Sequence, residues 1–143
     1  MAVNAGFTAA TSPIEVGRSD GIGVWEAVVD CSTLTGATLA AGEYVKLFTL
    51  PAGAVILDCV SEIYTVDTGG GTYTLGATTG TDVSTGKTVA AKAINHATTQ
   101  NVQLSATAAT ALCMAAVTDA MTTLVLRVRA VVLMGTQGMA TTA

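Results

Sequence analysis

The segment KLFTLPAGAVILDCVSEIYTV, residues 46–66, contains two apolar runs that are separated by Pro51-Ala52-Gly53. Proline fixes φ and donates no ladder hydrogen bond, and glycine tolerates positive φ, so this tripeptide predicts a tight reversal between two strands. The second run alternates in polarity with a period of two, which is typical of a half-buried strand. Its apolar face is predicted to contain Val55, Leu57, Cys59 and Ile63, and its other face Asp58 and Glu62.

A second clear strand lies in TLVLRVRAVVLMG, residues 123–135. Every second residue from Leu124 to Met134 is apolar, whereas the opposite face carries Arg127 and Arg129. An uninterrupted apolar face of this length belongs in the core, because its burial is the main favourable contribution to folding.

The remaining strand signals are short and are separated by Gly, Thr and Asn turns. The turn Asp67-Thr68-Gly69-Gly70-Gly71 predicts a hairpin over residues 55–77. The Thr-rich residues 80–100 are expected to form a mostly surface connection. Further strands are predicted at residues 22–29, 44–50, 101–105 and 112–117.

About eight short strands without a long amphipathic helix indicate an all-β domain, an antiparallel β-sandwich or barrel. We expect three parts along the chain. They are an extended amino-terminal arm at residues 1–20, the β domain at residues 21–134 and a flexible carboxyl-terminal tail at residues 135–143.

The composition limits the partners that the chain can have. Six basic and ten acidic residues give a net charge of −4, which argues against a nucleic-acid partner, since phosphate binding needs clustered Lys and Arg. The longest stretch without a charged residue, 93–118, is rich in Asn, Gln and Thr, so no membrane span is predicted. The low density of charged residues favours a surface that is largely covered by neighbouring proteins. The alternative is an ordinary soluble β domain that uses Thr in place of charged residues.

The sequence contains no group of residues with the spacing of a catalytic or metal-binding site. We therefore predict no catalytic residue, no metal site, no cofactor and no enzymatic activity. His96 is the one histidine, and its segment AINHATTQ has no Cys or acid at a ligand spacing. Cys31, Cys59 and Cys113 lie far apart among apolar residues, which predicts buried free thiols in a protein made in a reducing compartment.

Two segments carry a resemblance to a known family. YVKLFTLPAGAVILDCVSEIYTVDTGGGTYTLG, residues 44–76, and LVLRVRAVVLM, residues 124–134, together resemble small structural proteins of tailed-phage particles. The resemblance implies a jelly-roll head decoration (cement) protein, often a trimer, that binds the major capsid protein on the capsid surface of the virion and is made in the host cytoplasm. It offers no catalytic residues to transfer to this chain.

From this resemblance we expect four residues to contact a partner: Arg18, Trp25, Arg127 and Arg129. The arm would reach a neighbouring subunit. Core packing is the alternative role for Trp25, and a solvated strand face is the alternative for the two strand arginines. Two other functions stay open, namely a carbohydrate- or receptor-binding β-sandwich module and a tail-tube or connector subunit.

Overall fold

In the computed structural model of the protein, the described residues are 3–9, 14–19, 21–78 and 80–134, and for residues 14–19 only the backbone is described. The predicted tail at residues 135–143 lies outside these ranges. Ten strands and two short 3-10 helical turns, Cys31–Thr33 and Thr35–Ala37, make up the regular structure. The strands are β1 (Ile14–Ser19), β2 (Ile22–Asp30), β3 (Tyr44–Leu50), β4 (Val55–Thr65), β5 (Thr72–Gly76), β6 (Ser84–Thr88), β7 (Ile94–His96), β8 (Val102–Gln103), β9 (Thr110–Ala116) and β10 (Val125–Leu133).

The strands form two antiparallel sheets that pack as a sandwich, which confirms the predicted fold class. The first sheet has the order β1-β2-β10-β4-β7, with β8 also paired to β4, and the second has the order β3-β9-β5-β6. Between β2 and β10 the chain crosses repeatedly from one sheet to the other. Strand β3 lies in the second sheet, β4 in the first, β5 and β6 in the second, β7 and β8 in the first, and β9 in the second. This places β2 beside β10 and β3 beside β9, as in a jelly roll. Within the described ranges, no helix has the length and apolar character needed to cross a membrane.

The apolar face of β10 lies at the centre of the core, as predicted. Leu124, Leu126, Val128, Ala130 and Val132 have no exposed surface, and Met134 has little. Strand β10 pairs along its length with β2 on one side and with β4 on the other. Across the core, the ring of Trp25 on β2 lies 5.9 Å from that of Phe48 on β3.

The predicted hairpin over residues 55–77 is wrong. Strands β4 and β5 lie in different sheets, so the chain crosses the sandwich between them instead of reversing within one sheet. The reversal at Pro51 likewise joins β3 and β4 across the two sheets. Turn residues show where the chain changes direction, but the sheet that the next strand joins depends on tertiary packing.

The predicted inward face of β4 is wrong in its first half. Ile56, Cys59, Ser61 and Ile63 are buried, whereas Val55 and Leu57 are half-buried. The register between β4 and β10 shifts between Asp58 and Ile56, and such a bulge moves the residues beyond it to the opposite face. The predicted connection at residues 80–100 also needs correction, since it contains β6 and β7.

The described parts of the predicted arm are attached to the domain. Residues 14–19 are an edge strand beside β2, and Val3 forms a parallel bridge with Tyr44. Asn4 is buried; its side chain accepts a hydrogen bond from the Thr35 N–H (3.1 Å) and donates to the Thr38 carbonyl (3.2 Å). A β-carbon on Gly6 would lie 2.5 Å from the backbone nitrogen of Thr35, so this glycine permits the close approach.

Asp67 joins two connections at one end of the sandwich. It follows β4, is almost fully buried, and its Oδ1 accepts the N–H of Gly69 at 3.0 Å. Its Oδ2 accepts the N–H groups of Thr122 at 2.7 Å and Thr123 at 3.0 Å, which precede β10. Burial raises the pKa of Asp67, but the hydrogen bonds from Thr123, Thr122 and Gly69 outweigh it, so the net pKa is lowered. The carboxylate therefore fixes the entry of β10 into the sheet.

Candidate partner-binding face

The solvent-facing side of β2, β10, β4 and β7 forms a continuous surface, which we call the outer face. It points away from the core because the alternate residues of β10 are buried on the other side. The strand register aligns its central residues in two rows across the sheet. The rows are Glu26, Arg129, Val60 and His96, and Val28, Arg127, Glu62 and Ile94.

Two ion pairs join the strands of the outer face. Arg127 donates to Glu62 at 2.5 Å, and Arg129 donates through Nε to Glu26 at 2.9 Å. The Arg127 guanidinium also lies 4.9 Å from the centre of the Tyr64 ring, within the range of a cation–π contact. The hydrogen bond to Glu62 is the main cause that raises the pKa of Arg127. Both arginines are therefore neutralised by cross-strand partners within the chain.

Large apolar side chains are exposed beside these pairs. Among the described residues, six large apolar side chains are exposed. Four of them lie on or at the margin of the outer face: Val28, Tyr64, Ile94 and Leu133. Ile94 is 63% exposed, the highest value of the six. An exposed apolar patch between paired charges is typical of a protein–protein contact surface.

The outer face has open depressions. One depression of about 370 Å³ is lined by Val60, Glu62, Ile94, Arg127 and Arg129. A second, of about 320 Å³, extends past Ile94 to Tyr64 and Lys92. In the part of the chain that the structure describes, no three His, Cys, Asp or Glu side chains are grouped to hold a metal ion. Both depressions are shallow and lie along the strands of the outer face.

The structure separates the four predicted contact residues. Arg127 and Arg129 lie together on the outer face, and Arg18 lies on β1, where only the backbone is described. Trp25 is corrected: it is 1% exposed and packs in the core, so it presents no surface to a partner. Its place on β2, opposite Ala130 of the buried β10 face, is the reason.

Sequence reasoning missed the partners of the two arginines and the exposure of Ile94. Glu62 and Glu26 are 65 and 103 residues distant from their arginines in the chain. The available signal was opposite charge on the outward faces of separate strands, since cross-strand ion pairs are common in antiparallel sheets. That signal becomes specific only when the strand order is known.

The buried polar groups of the core are separate from the outer face. The Tyr73 hydroxyl on β5 is 2.7 Å from the Ser61 hydroxyl on β4 and accepts a hydrogen bond from the Asn95 amide at 3.0 Å. Burial is the main cause that raises the pKa of Tyr73. This cluster joins the two sheets through the core, and it explains why β4 buries a serine.

The three thiols are expected to be unreactive in the folded protein. Cys31, Cys59 and Cys113 are free and buried, and burial raises the pKa of Cys31 and of Cys59 to about 12. Because the thiolate is the reactive form, a thiol reagent at pH 8 should label almost none of them before unfolding and all three afterwards. Counting labelled thiols by mass spectrometry checks this. Rapid labelling of the folded protein at any of the three would contradict it.

Two solved structures have chains that share this fold. One chain, in "Capsid of Ralstonia phage GP4", is 19% identical over 87% of this chain and 91% of its own length, with a TM-score of 0.68. The other, in "Cyanophage Pam1 capsid asymmetric unit", is 23% identical over 82% of this chain and 89% of its own length, with a TM-score of 0.61. No protein-family model matches the chain. No curated protein matches it either.

Proposed function

We propose that the protein is a structural component of a phage virion that binds the outside of the head and stabilises the shell, as a decoration protein does. One observation carries the proposal. Chains of this fold and of similar length belong to two structures titled as phage capsids, and the likeness covers most of each chain.

The surface of the chain supports a role based on contact area. The outer face combines exposed apolar side chains with arginines that are already paired to Glu62 and Glu26. Covering pre-paired charges leaves no unpaired ion, and an unpaired buried ion is the most costly outcome of binding. The partners that we propose are the major capsid protein and further copies of this chain, with the virion as the location.

The arm is part of the same proposal. We propose that residues 1–20 add contacts with a neighbouring subunit. Because Val3 and Asn4 are attached to the body and residues 14–19 pair with β2, these contacts would lie along the edge of the domain. The observed fold gives the carbohydrate-binding alternative less support, because Trp25, Phe48 and Tyr73 are buried and provide no platform for a sugar. Tyr64, the exposed aromatic of the outer face, is already in contact with Arg127.

The test is to locate the protein in purified particles of the virus that encodes it. Mass spectrometry of the particles should detect the chain in many copies, and electron microscopy should place jelly-roll density on the outer surface of the head. Density in the tail tube or connector would contradict decoration and favour a tail-tube or connector subunit.

A thermal comparison tests the stabilising role. Particles stripped of the protein should release their genome at a lower temperature than decorated particles, and adding back the purified protein should restore the higher temperature, because subunits that bind only the intact shell stabilise it. Dye-detected genome release during heating measures this. Equal release temperatures would contradict a cementing role.

A further inference from the structure

The outer face has a register that is complementary to itself. Across the sheet, one row runs Val28, Arg127, Glu62, Ile94 on β2, β10, β4 and β7. In this order an apolar residue stands at each end and opposite charges stand at the centre. When a second, reversed copy of the row lies over the first, each apolar side chain therefore faces an apolar side chain and each positive charge faces a negative charge. In the adjacent row, the same reversal places Glu26 opposite His96 and the aliphatic part of the Arg129 side chain opposite Val60.

We propose that a second copy of this chain binds to the outer face about a two-fold axis that runs between β10 and β4, parallel to the strands. The axis exchanges β10 with β4 and β2 with β7. It places Val28 opposite Ile94 of the partner subunit and Arg127 opposite Glu62 of the partner subunit. The strands of the two sheets then lie nearly parallel about 10 Å apart, which is the aligned packing of two sheets.

The charges at the centre favour this arrangement over an isolated pair. Arg127 and Glu62 are already bonded within one chain at 2.5 Å. Two such pairs, stacked in opposite directions, form a ring of four alternating charges, in which each guanidinium has a second carboxylate beside it. Complementary charges across an interface fix its register and disfavour partners that would place like charges together.

The area is adequate for a weak but specific dimer. About eight residues on each of β2, β10 and β4 and the three residues of β7, at about 4.8 Å between strands and about 3.3 Å per residue, cover roughly 430 Å² on each copy. The total of roughly 900 Å² is in the range of weak, transient interfaces, so a dissociation constant in the micromolar range or weaker is expected. Four of the six exposed large apolar side chains of the described residues would be covered or bordered by the contact.

A charge-exchange experiment tests the register. The variants Arg127→Glu and Glu62→Arg each place like charges at the centre and should remain monomeric by sedimentation velocity at about 100 µM, where the wild type should dimerise. Mixed in equal amounts, the two variants should form a heterodimer, because each mismatch meets the opposite mismatch. The double variant should form homodimers again. Circular dichroism on every variant confirms that it is folded.

Matched controls separate this register from general attraction between oppositely charged proteins. Lys46→Glu and Asp119→Arg change the net charge by the same amounts at exposed positions away from the outer face, and each variant should dimerise like the wild type. Ile94→Asp should raise the dissociation constant at least about tenfold, whereas Val117→Asp, which alters another exposed valine, should not.

Three results would overturn the proposal: a monomeric wild type at about 100 µM, a trimer, as the family resemblance implies, or dimers that both charge variants retain. The proposal does not rest on the virion function. Dimerisation is measured on the purified protein and head binding on particles, so the failure of one is distinguishable from the failure of the other.

Discussion

Replacing Asp67 with asparagine is expected to lower the free energy of unfolding by about 2–4 kcal/mol at pH 7, because hydrogen bonds to a buried charged group contribute about 1.5–3 kcal/mol each. The carboxylate accepts three backbone N–H groups, from Gly69, Thr122 and Thr123. An asparagine amide would direct N–H hydrogens at one or two of these donors. Thermal unfolding followed by circular dichroism should show a melting temperature that is lower by about 10 °C.

The stability that the Asp67→Asn variant loses relative to the wild type should decrease as the pH falls. The pKa of Asp67 is lowered in the folded protein, so its contribution is complete above the unfolded value of about 3.9 and is lost as the pH falls through the lower folded value. The wild type should therefore lose stability in this acidic range, whereas the Asp67→Asn variant should lose less. The two proteins should converge in stability at the lowest pH.

Asp119→Asn is the matched control, because Asp119 is an exposed carboxylate in the connection between β9 and β10. Its stability should stay within about 0.5 kcal/mol of the wild type. If Asp67→Asn and Asp119→Asn unfolded alike at pH 7, the anchoring role of Asp67 would be refuted.

Replacing Trp25 with alanine is expected to lower the free energy of unfolding by about 3–5 kcal/mol, because it leaves a large cavity in a packed core. Trp25 is 1% exposed and packs against Phe48. Urea unfolding followed by circular dichroism measures the change. An unchanged unfolding midpoint combined with weaker binding to heads would instead restore Trp25 as a contact residue.

Trp25→Phe is the informative comparison. Among the described residues, the indole Nε1 has no hydrogen-bond partner although it is buried. Phenylalanine keeps much of the ring volume and removes the unsatisfied donor, so this variant should lose less than half as much stability as Trp25→Ala. A loss as large as that of alanine would show that the indole makes a specific interaction.

The strands that alternate without interruption could be predicted from the sequence. In β10 the buried residues from Leu124 to Met134 follow a strict period of two, and the structure confirms all of them. In β4 the period is broken by the bulge near Asp58, so the face of Val55 and Leu57 was wrong. A bulge arises from pairing with β10, which lies far along the chain, and the local pattern contains no sign of it.

The outer face was predictable in part for the same reason. The alternation that buried Leu126 and Val128 also placed Arg127 and Arg129 outward. Their pairing with Glu62 and Glu26 depends on β10 lying between β4 and β2, an order that no local pattern specifies. Trp25 shows the converse, because a large aromatic residue suits both a core and an interface, and only its strand face decides between them.

The position of β10 has a consequence for synthesis on the ribosome. The strand follows β1 to β9 along the chain, yet it fills the centre of the first sheet, between β2 and β4. A growing chain therefore exposes the inner edges of β2 and β4 until residues 125–133 have emerged from the exit tunnel, and such edges are sites of aggregation. Folding of the first sheet must be completed after translation of β10, so premature termination before this strand should yield insoluble chains.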